Sequence, residues 1–290
     1  MEIEDPKKAL YLKLLLNRSS KGALDPAAKF LTPKSQADIN AIQTLETSLD
    51  QAAIFPPAYL DRIHYSWLKK AVESLPPEEV VYYLAALEPK KKEEVLKILH
   101  VHQPIPEATG FVKSFIQKKW LEKLLPEDFI PLAFLPKSSL DPLYGLSKKE
   151  LMDLIAFLGL YDLAHEMKKV VDTKLLKAIY SQLSNKKLEY FKILLNQKEK
   201  ILTPKFDLSD WNGDLKELDN RIHKRGLRRL HLALAKESPH KKWILTRTLD
   251  TGRGAILDEE ITEEINPHII ATLTEQVLET LKFLGKVDRG

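Results

Sequence analysis

The side chains whose type and spacing could do chemistry are mostly cations. Between Arg221 and Arg247 the chain carries nine lysines and arginines (Arg221, Lys224, Arg225, Arg228, Arg229, Lys236, Lys241, Lys242 and Arg247) against one acid, Glu237, a net of +8. On a helix, Arg221, Arg225, Arg228 and Arg229 fall within one broad face, while Leu227, Leu230, Leu232 and Leu234 supply apolar contacts. Such a patch suits an acidic protein surface, a phosphate or lipid head groups. The plainer reading is a solvated helix face paired with nearby acids such as Asp214, Glu217 and Asp219. As a candidate protein-binding patch the sequence offers Arg221, Lys224, Arg225, Arg228, Arg229, Lys241, Lys242 and Arg247. No aromatic stacking platform or reader motif is interleaved with these charges, so nucleic acid is not expected as a partner.

Other chemistries fail on residue type or spacing. Cysteine is absent, which removes disulfides, thiolate zinc sites and thiol nucleophiles. His100 and His102 stand two apart and diverge on a helix. His223 and His231 stand eight apart and could share a face, but they sit among cations that repel a metal. Thr251-Gly252-Arg253-Gly254 has glycines that could cradle a phosphate, yet it lacks the lysine and hydroxyl of a P-loop and any preceding strand, and reads as a turn between helices. Asp258, Glu259, Glu260, Glu263 and Glu264 read as acids favoured by the positive end of a following helix. No catalytic, cofactor-binding or metal-ligating residue is expected, and the chain does not read as an enzyme.

The elements that must position these residues are helices. Only 10 glycines occur in 290 residues, apolar side chains recur at three and four positions, and the 17 prolines sit mostly between the periodic segments. The pattern predicts helices over Ala9 to Leu16, from Thr32-Pro33 to about Ile54, Asp61 to Ser74, and Pro77 onward with Val80, Tyr83, Leu84 and Leu87 on one side. It continues with Lys90 to Leu99 and Gly110 to Leu125. Ser147-Lys148-Lys149-Glu150 matches the capping box, opening Leu151 to Leu158. Gly159 then reads as a C-terminal cap, followed by Tyr161 to Val170, Leu175 to Leu183 after Asp172, and Leu188 to Asn196 after Ser184. Leu215 to Lys236, Lys241 to Leu249 and Thr262 to Leu284 complete the reading. It is an all-α protein of short helices stacked armadillo-like in at least two blocks, because such short amphipathic pairs cannot bury their apolar faces alone.

The proline-rich interval near Phe134 to Tyr144 marks the expected boundary, giving an N-terminal helix or arm over 1–35, a helical domain over 36–140 and a C-terminal helical domain over 141–290. Tyr65, Trp67, Tyr82, Tyr83, Phe129, Phe134 and Leu135 are expected in the core, and any left exposed become candidate anchors for a partner. No apolar run is long enough for a membrane span, and the acidic start Met1-Glu2-Ile3-Glu4-Asp5-Pro6 does not read as a signal, so the expected location is the cytosol.

Leu151-Met152-Asp153-Leu154-Ile155 through Leu175-Leu176-Lys177-Ala178-Ile179-Tyr180-Ser181-Gln182-Leu183-Ser184-Asn185-Lys186-Lys187 resembles the flagellar rotor protein FliG and FliG-like proteins of type III secretion, with their alternation of short helices ending in an "I-x-S-x-x-S-x-x" segment. Leu75 to Leu99 looks like the helix pair of that family's middle domain. The resemblance implies an armadillo-type scaffold set between a membrane ring and cytoplasmic components of a secretion apparatus. Its partners would be ring or sorting-platform proteins, with any inner-membrane association peripheral and through those partners. A helical regulator or chaperone that binds acidic clients through Arg221 to Arg247 is the alternative.

Overall fold

The computed structural model describes residues 56–99, 104–197, 213–261 and 265–287, together with residues 13, 32–35, 37, 101, 201, 206, 208 and 211. Its elements, in chain order, are α1 (Pro56–Arg62), α2 (Tyr65–Val72), α3 (Pro77–Ala85), α4 (Pro89–Leu99) and α5 (Gly110–Leu124). Two 3-10 turns, Leu132–Phe134 and Asp141–Gly145, lead to α6 (Lys148–Met167), α7 (Thr173–Gln182) and α8 (Asn185–Asn196). The chain continues with α9 (Leu215–Ala233), α10 (Pro239–Thr248), α11 (Thr251–Asp258) and α12 (Pro267–Phe283). The described residues are all-α and contain no strand. Apart from Lys13, Ser35 and Ala37, the expected helix over Ala9 to Leu16 and the continuation from Ser35 to Ile54 lie outside the described residues, as do His100, His102, Glu263 and Glu264.

By their contacts the residues form two compact units, the first comprising residues up to Ser138 with Ser238–Thr251, the second Ser139–Glu237 with Gly252 onward. In the first, Leu60, Ile63, Trp67, Leu68, Val80, Leu84, Leu87, Val95, Trp120, Leu121 and Phe129 form one apolar core with Trp243 and Ile244 of α10. Each such large side chain contributes about 1.5–3 kcal/mol on leaving water. Val80, Tyr83, Leu84 and Leu87 all turn inward, as their spacing predicts. The expected single helix from Asp61 to Ser74 is instead two, because His64 interrupts it: its backbone is extended, and its ring accepts from the Ser66 N–H to cap α2.

In the second unit α6 is the central element, burying Leu151, Leu154, Ile155, Phe157, Leu158, Leu160, Tyr161, Leu163 and Met167. It opens on the expected capping box: Ser147 Oγ accepts from Glu150 N–H at 3.3 Å, and Glu150 Oε2 accepts from Ser147 N–H at 2.8 Å. Asp172 caps α7 and Ser184 caps α8, both as the sequence predicts. A ring cluster ties α6, α8 and α12, with Tyr190 and Phe283 centroids 4.6 Å apart and Phe157 and Tyr190 5.5 Å apart.

Three local expectations are corrected. Gly159 does not end a helix; α6 runs through it to Met167. A Cβ at Gly159 would collide with the Ile222 carbonyl of α9, and one at Gly226 would collide with the Ile155 carbonyl of α6. The two glycines let the backbones of α6 and α9 approach, a packing role rather than a capping one. Thr251-Gly252-Arg253-Gly254 is no turn but the first residues of α11. Finally, the first turn of α12 holds no acid; Asn266 caps that helix by accepting from His268 N–H at 2.9 Å.

Candidate protein-binding surfaces

The basic run divides between the two units. Arg221, Lys224, Arg225, Arg228 and Arg229 lie on α9 of the second unit, whereas Lys241, Lys242 and Arg247 lie on α10 of the first. On α9 the arginines split by face. Arg225 and Arg229 turn toward α6 and converge on the buried Asp162: Arg225 Nε donates to Oδ2 at 2.6 Å, and Arg229 Nε and Nη2 donate to Oδ1 at 3.1 and 2.5 Å. Arg229 Nη1 also donates to Gln276 Oε1 of α12 at 2.6 Å. Arg221 pairs with Glu217 one turn earlier. Of the eight candidates, only Lys224 and Arg228 are exposed; the others are half-buried or buried.

Asp162 can accept three charged donors because two carboxylate oxygens offer about four lone-pair sites. Its burial without them would be prohibitive. The sequence gives no local sign of this pairing, since Asp162 stands 67 residues from Arg229. Of the acids expected to offset the patch locally, Glu217 does so, Asp219 instead accepts from Lys187 at 3.0 Å, and Asp214 caps α9 by accepting from Lys216 N–H at 2.9 Å.

On α10, Lys241 is buried with its Nζ donating to the Pro136 carbonyl at 2.7 Å. The Arg247 guanidinium lies 3.9 Å from the centroid of the Trp67 ring and 5.6 Å from that of Trp243. It borders a cavity of about 120 Å³ whose other walls are Tyr59, Arg62, Ile63, Leu132, Trp243 and Ile244. Burial raises the Tyr59 hydroxyl above its ordinary value, with the Arg62 charge opposing; burial likewise lowers Arg62. Sequence reading missed Tyr59, Arg62 and Trp243 as a site because no spacing links α1 to α10.

A larger cleft of about 300 Å³ lies within the second unit among α6, α8 and α12, lined by Tyr161, His165, Lys168, Gln197, Glu275 and Glu279 among others. Beneath it Tyr161 Oη donates to Glu279 Oε2 at 3.1 Å and stands 3.0 Å from Tyr190 Oη, which is 2.9 Å from Thr280 Oγ1. Burial raises both tyrosines; for Tyr161 the neighbouring Tyr190 and Glu279 add to it, and for Tyr190 the Thr280 and Tyr161 hydrogen bonds oppose it. These hydroxyls are satisfied parts of a buried network rather than an acid–base pair poised near neutrality. His223 Nε2 accepts from Arg253 Nε at 2.9 Å, and among the described residues no three His, Asp or Glu side chains are placed to hold a metal.

Among the described residues, three exposed large apolar side chains gather on α5. Phe111 is 84% exposed, Val112 54% and Phe115 51%. At 100° per residue these three share the face opposite Trp120, Leu121 and Leu124, so α5 is apolar on both its core side and its outer side. Phe111 and Phe115 stack with centroids 6.4 Å apart, and Lys119 Nζ lies 5.8 Å from the Phe115 centroid. Of the aromatic residues expected in the core, Trp67, Phe129 and Phe134 are buried, whereas Tyr82 is exposed. No described helix is long and apolar enough to cross a membrane. No protein-family model, curated protein or solved structure matches this chain.

Proposed function

We propose that this chain is a non-enzymatic scaffold that works by binding other proteins, as a FliG-like component at the cytoplasmic face of a type III secretion or flagellar-type export machine. The assignment to that machine is supported by the resemblance of Leu151 to Lys187, and of Leu75 to Leu99, to the helical pattern of the family. The binding role is supported by one observation above all: the outward face of α5 holds two stacked phenylalanines and a valine in water. Two aromatic side chains four residues apart are the anchor spacing of a helix that seats in a partner's groove. Buried aromatic anchors of this kind carry most of the affinity at protein interfaces.

The alternative reading, acidic clients held by Arg221 to Arg247, draws on fewer side chains than the sequence suggests, since Arg225 and Arg229 serve Asp162 inside the second unit. The test is co-elution of the full chain with purified inner-membrane ring and sorting-platform proteins, alongside the double variant Phe111→Ser/Phe115→Ser. Binding by the unmodified chain and at least a ten-fold weaker Kd for the variant, with unchanged melting temperature, is the expected result. No binding to any of these proteins would reject the machine, and equal affinity of the variant would reject the α5 surface.

A further inference from the structure

The cleft among α6, α8 and α12 has a buried floor and a charged rim. Tyr161, Ala164, Leu194 and Thr272 make the floor, all of them buried. His165, Lys168 and Glu279 stand at the rim, the first half-buried and the other two exposed. Helix direction sets their order. Phe157 packs on Phe283 with ring centroids 5.8 Å apart, and one turn further along α6 Tyr161 donates to Glu279, one turn earlier on α12. The two helices are therefore antiparallel. Lys168 stands seven residues beyond Tyr161, which places it about 10 Å further along α6 at the helical rise. A carboxylate thus marks one end of the cleft and cations the other.

These charges do not answer one another. Glu279 Oε2 accepts from Tyr161 Oη, which leaves the second carboxylate oxygen, and Lys168 Nζ donates to the Gln197 carbonyl, which leaves further ammonium protons. Among the described residues no ion pair joins Glu279 to His165 or Lys168, and His165 has no hydrogen-bond partner. Glu275 and Gln276 also line the cleft, but both are engaged within the fold and are not counted on. An anion filling the cleft would be repelled at Glu279, and a cation filling it would be repelled at Lys168. A guest with one charge of each sign meets an opposite charge at both ends.

We propose that this cleft is a binding site for a dipolar ligand, with an ammonium group at one end, a carboxylate at the other and an aliphatic stem of lysine length between them. The ammonium lies against Glu279, the carboxylate against Lys168 and His165, and the stem over Ala164 and Leu194. Its volume of about 300 Å³ is at the small end for ligand sites, which suits a single residue or a molecule of that size. Two sources carry this chemistry: a free amino acid with an amine at the far end of its stem, or the C-terminal lysine of a protein. The site shares no residue with the α5 surface and stands or falls without it.

The experiment is a calorimetric titration of the full-length chain with 6-aminohexanoate at constant ionic strength, with the His165 ring resonance followed in parallel by carbon–proton NMR. That resonance is assigned by its loss in His165→Gln. Saturable binding is expected, with the His165 shift saturating at the same Kd. The singly charged analogues hexanoate and hexylamine should bind at least ten-fold more weakly. Glu279→Gln and Lys168→Gln should each weaken 6-aminohexanoate at least ten-fold, whereas Lys177→Gln on α7 should leave it unchanged. Binding of the tripeptide Ala-Ala-Lys, lost in its C-terminal amide, assigns the chain terminus as an accepted source; binding of 6-aminohexanoate without the tripeptide assigns a free small molecule. No saturation at millimolar ligand, a His165 resonance that stays still, equal binding of either singly charged analogue, or affinity preserved in both variants would overturn the site. Should Glu279→Gln melt early through loss of its Tyr161 contact, Lys168→Gln alters only an exposed side chain and decides the outcome.

Discussion

Arg229 of α9 and Asp162 of α6 form an ion pair in which each side chain is 3% exposed, with Nη2 and Oδ1 2.5 Å apart. Arg225 completes the carboxylate from one side and Gln276 completes the guanidinium from the other. The run that looks most like an external charge patch therefore contributes two of its members to the contact between helices.

Removing the carboxylate should be far more costly than removing a surface partner. Asp162→Ala strands two guanidiniums, one of them fully buried, and is expected to lower stability by about 3–5 kcal/mol. Arg221→Ala, which breaks a pair open to solvent at both ends, should cost only about 0.3–0.5 kcal/mol. Urea denaturation of the two variants side by side checks the contrast, and equal midpoints would show that the buried pair is not a structural keystone of the second unit.

The α6–α9 contact makes a second prediction. Gly226→Ala and Gly159→Ala each place a methyl group against a facing backbone carbonyl, which a helix cannot move as a side chain can. Each should destabilise by about 1–3 kcal/mol despite the better helix propensity of alanine. A rise in melting temperature in either variant would contradict the close approach.

Acid should loosen the tie between the start of α6 and the C-terminal segment. Glu150 accepts from Lys286 Nζ, from Ser147 N–H and from Ser147 Oγ, and these hold its carboxyl down to about 2 from an ordinary 4.5. A depressed folded value means its contribution is present above the unfolded value and is lost as pH falls from about 4.5 toward 2. Carboxyl chemical shifts of Glu150 followed through that window should show the depressed midpoint, and Lys286→Ala should move it back up.

Alkali acts on the tyrosine network in the opposite sense. The raised Tyr161 and Tyr190 hydroxyls stay protonated in the fold while the unfolded chain ionises from 10.0, so stability is intact below that pH and declines above it. Phenolate absorbance of Tyr161→Phe should overlay that of the unmodified chain until the fold is lost. An earlier divergence would mean that Tyr161 ionises in the native state.

Features written within a few residues of one another were legible in the sequence. Ser147 with Glu150, Asp172 and Ser184 signal their helix starts because a cap is satisfied three residues away. Val80, Leu84 and Leu87 announce their inward face by spacing alone. Gly159 misleads because its lack of a side chain is needed across to Ile222, a demand that no neighbour in sequence reveals. His64 likewise ends one helix and caps the next, although the apolar period runs on past it. For the surfaces, the cations of Arg221 to Arg247 are visible by count, but their direction is fixed by Asp162 and Trp67, each distant in the chain. Phe111 and Phe115 carry no mark of exposure in the sequence, since α5 has apolar residues on both faces.

The return of α10 to the first unit bears on the order in which the molecule can be made. Trp243 and Ile244 belong to the same core as Leu60 and Trp120, so a ribosome must pass Thr251 before that core has all its parts, by which time most of the second unit has already emerged. The earlier helices must wait with an unfilled apolar face, a state in which nascent chains attract chaperones or one another. A stop codon or a nick anywhere from Ser139 to Glu237 would thus damage both units at once, and the two ought to appear and vanish together rather than in turn.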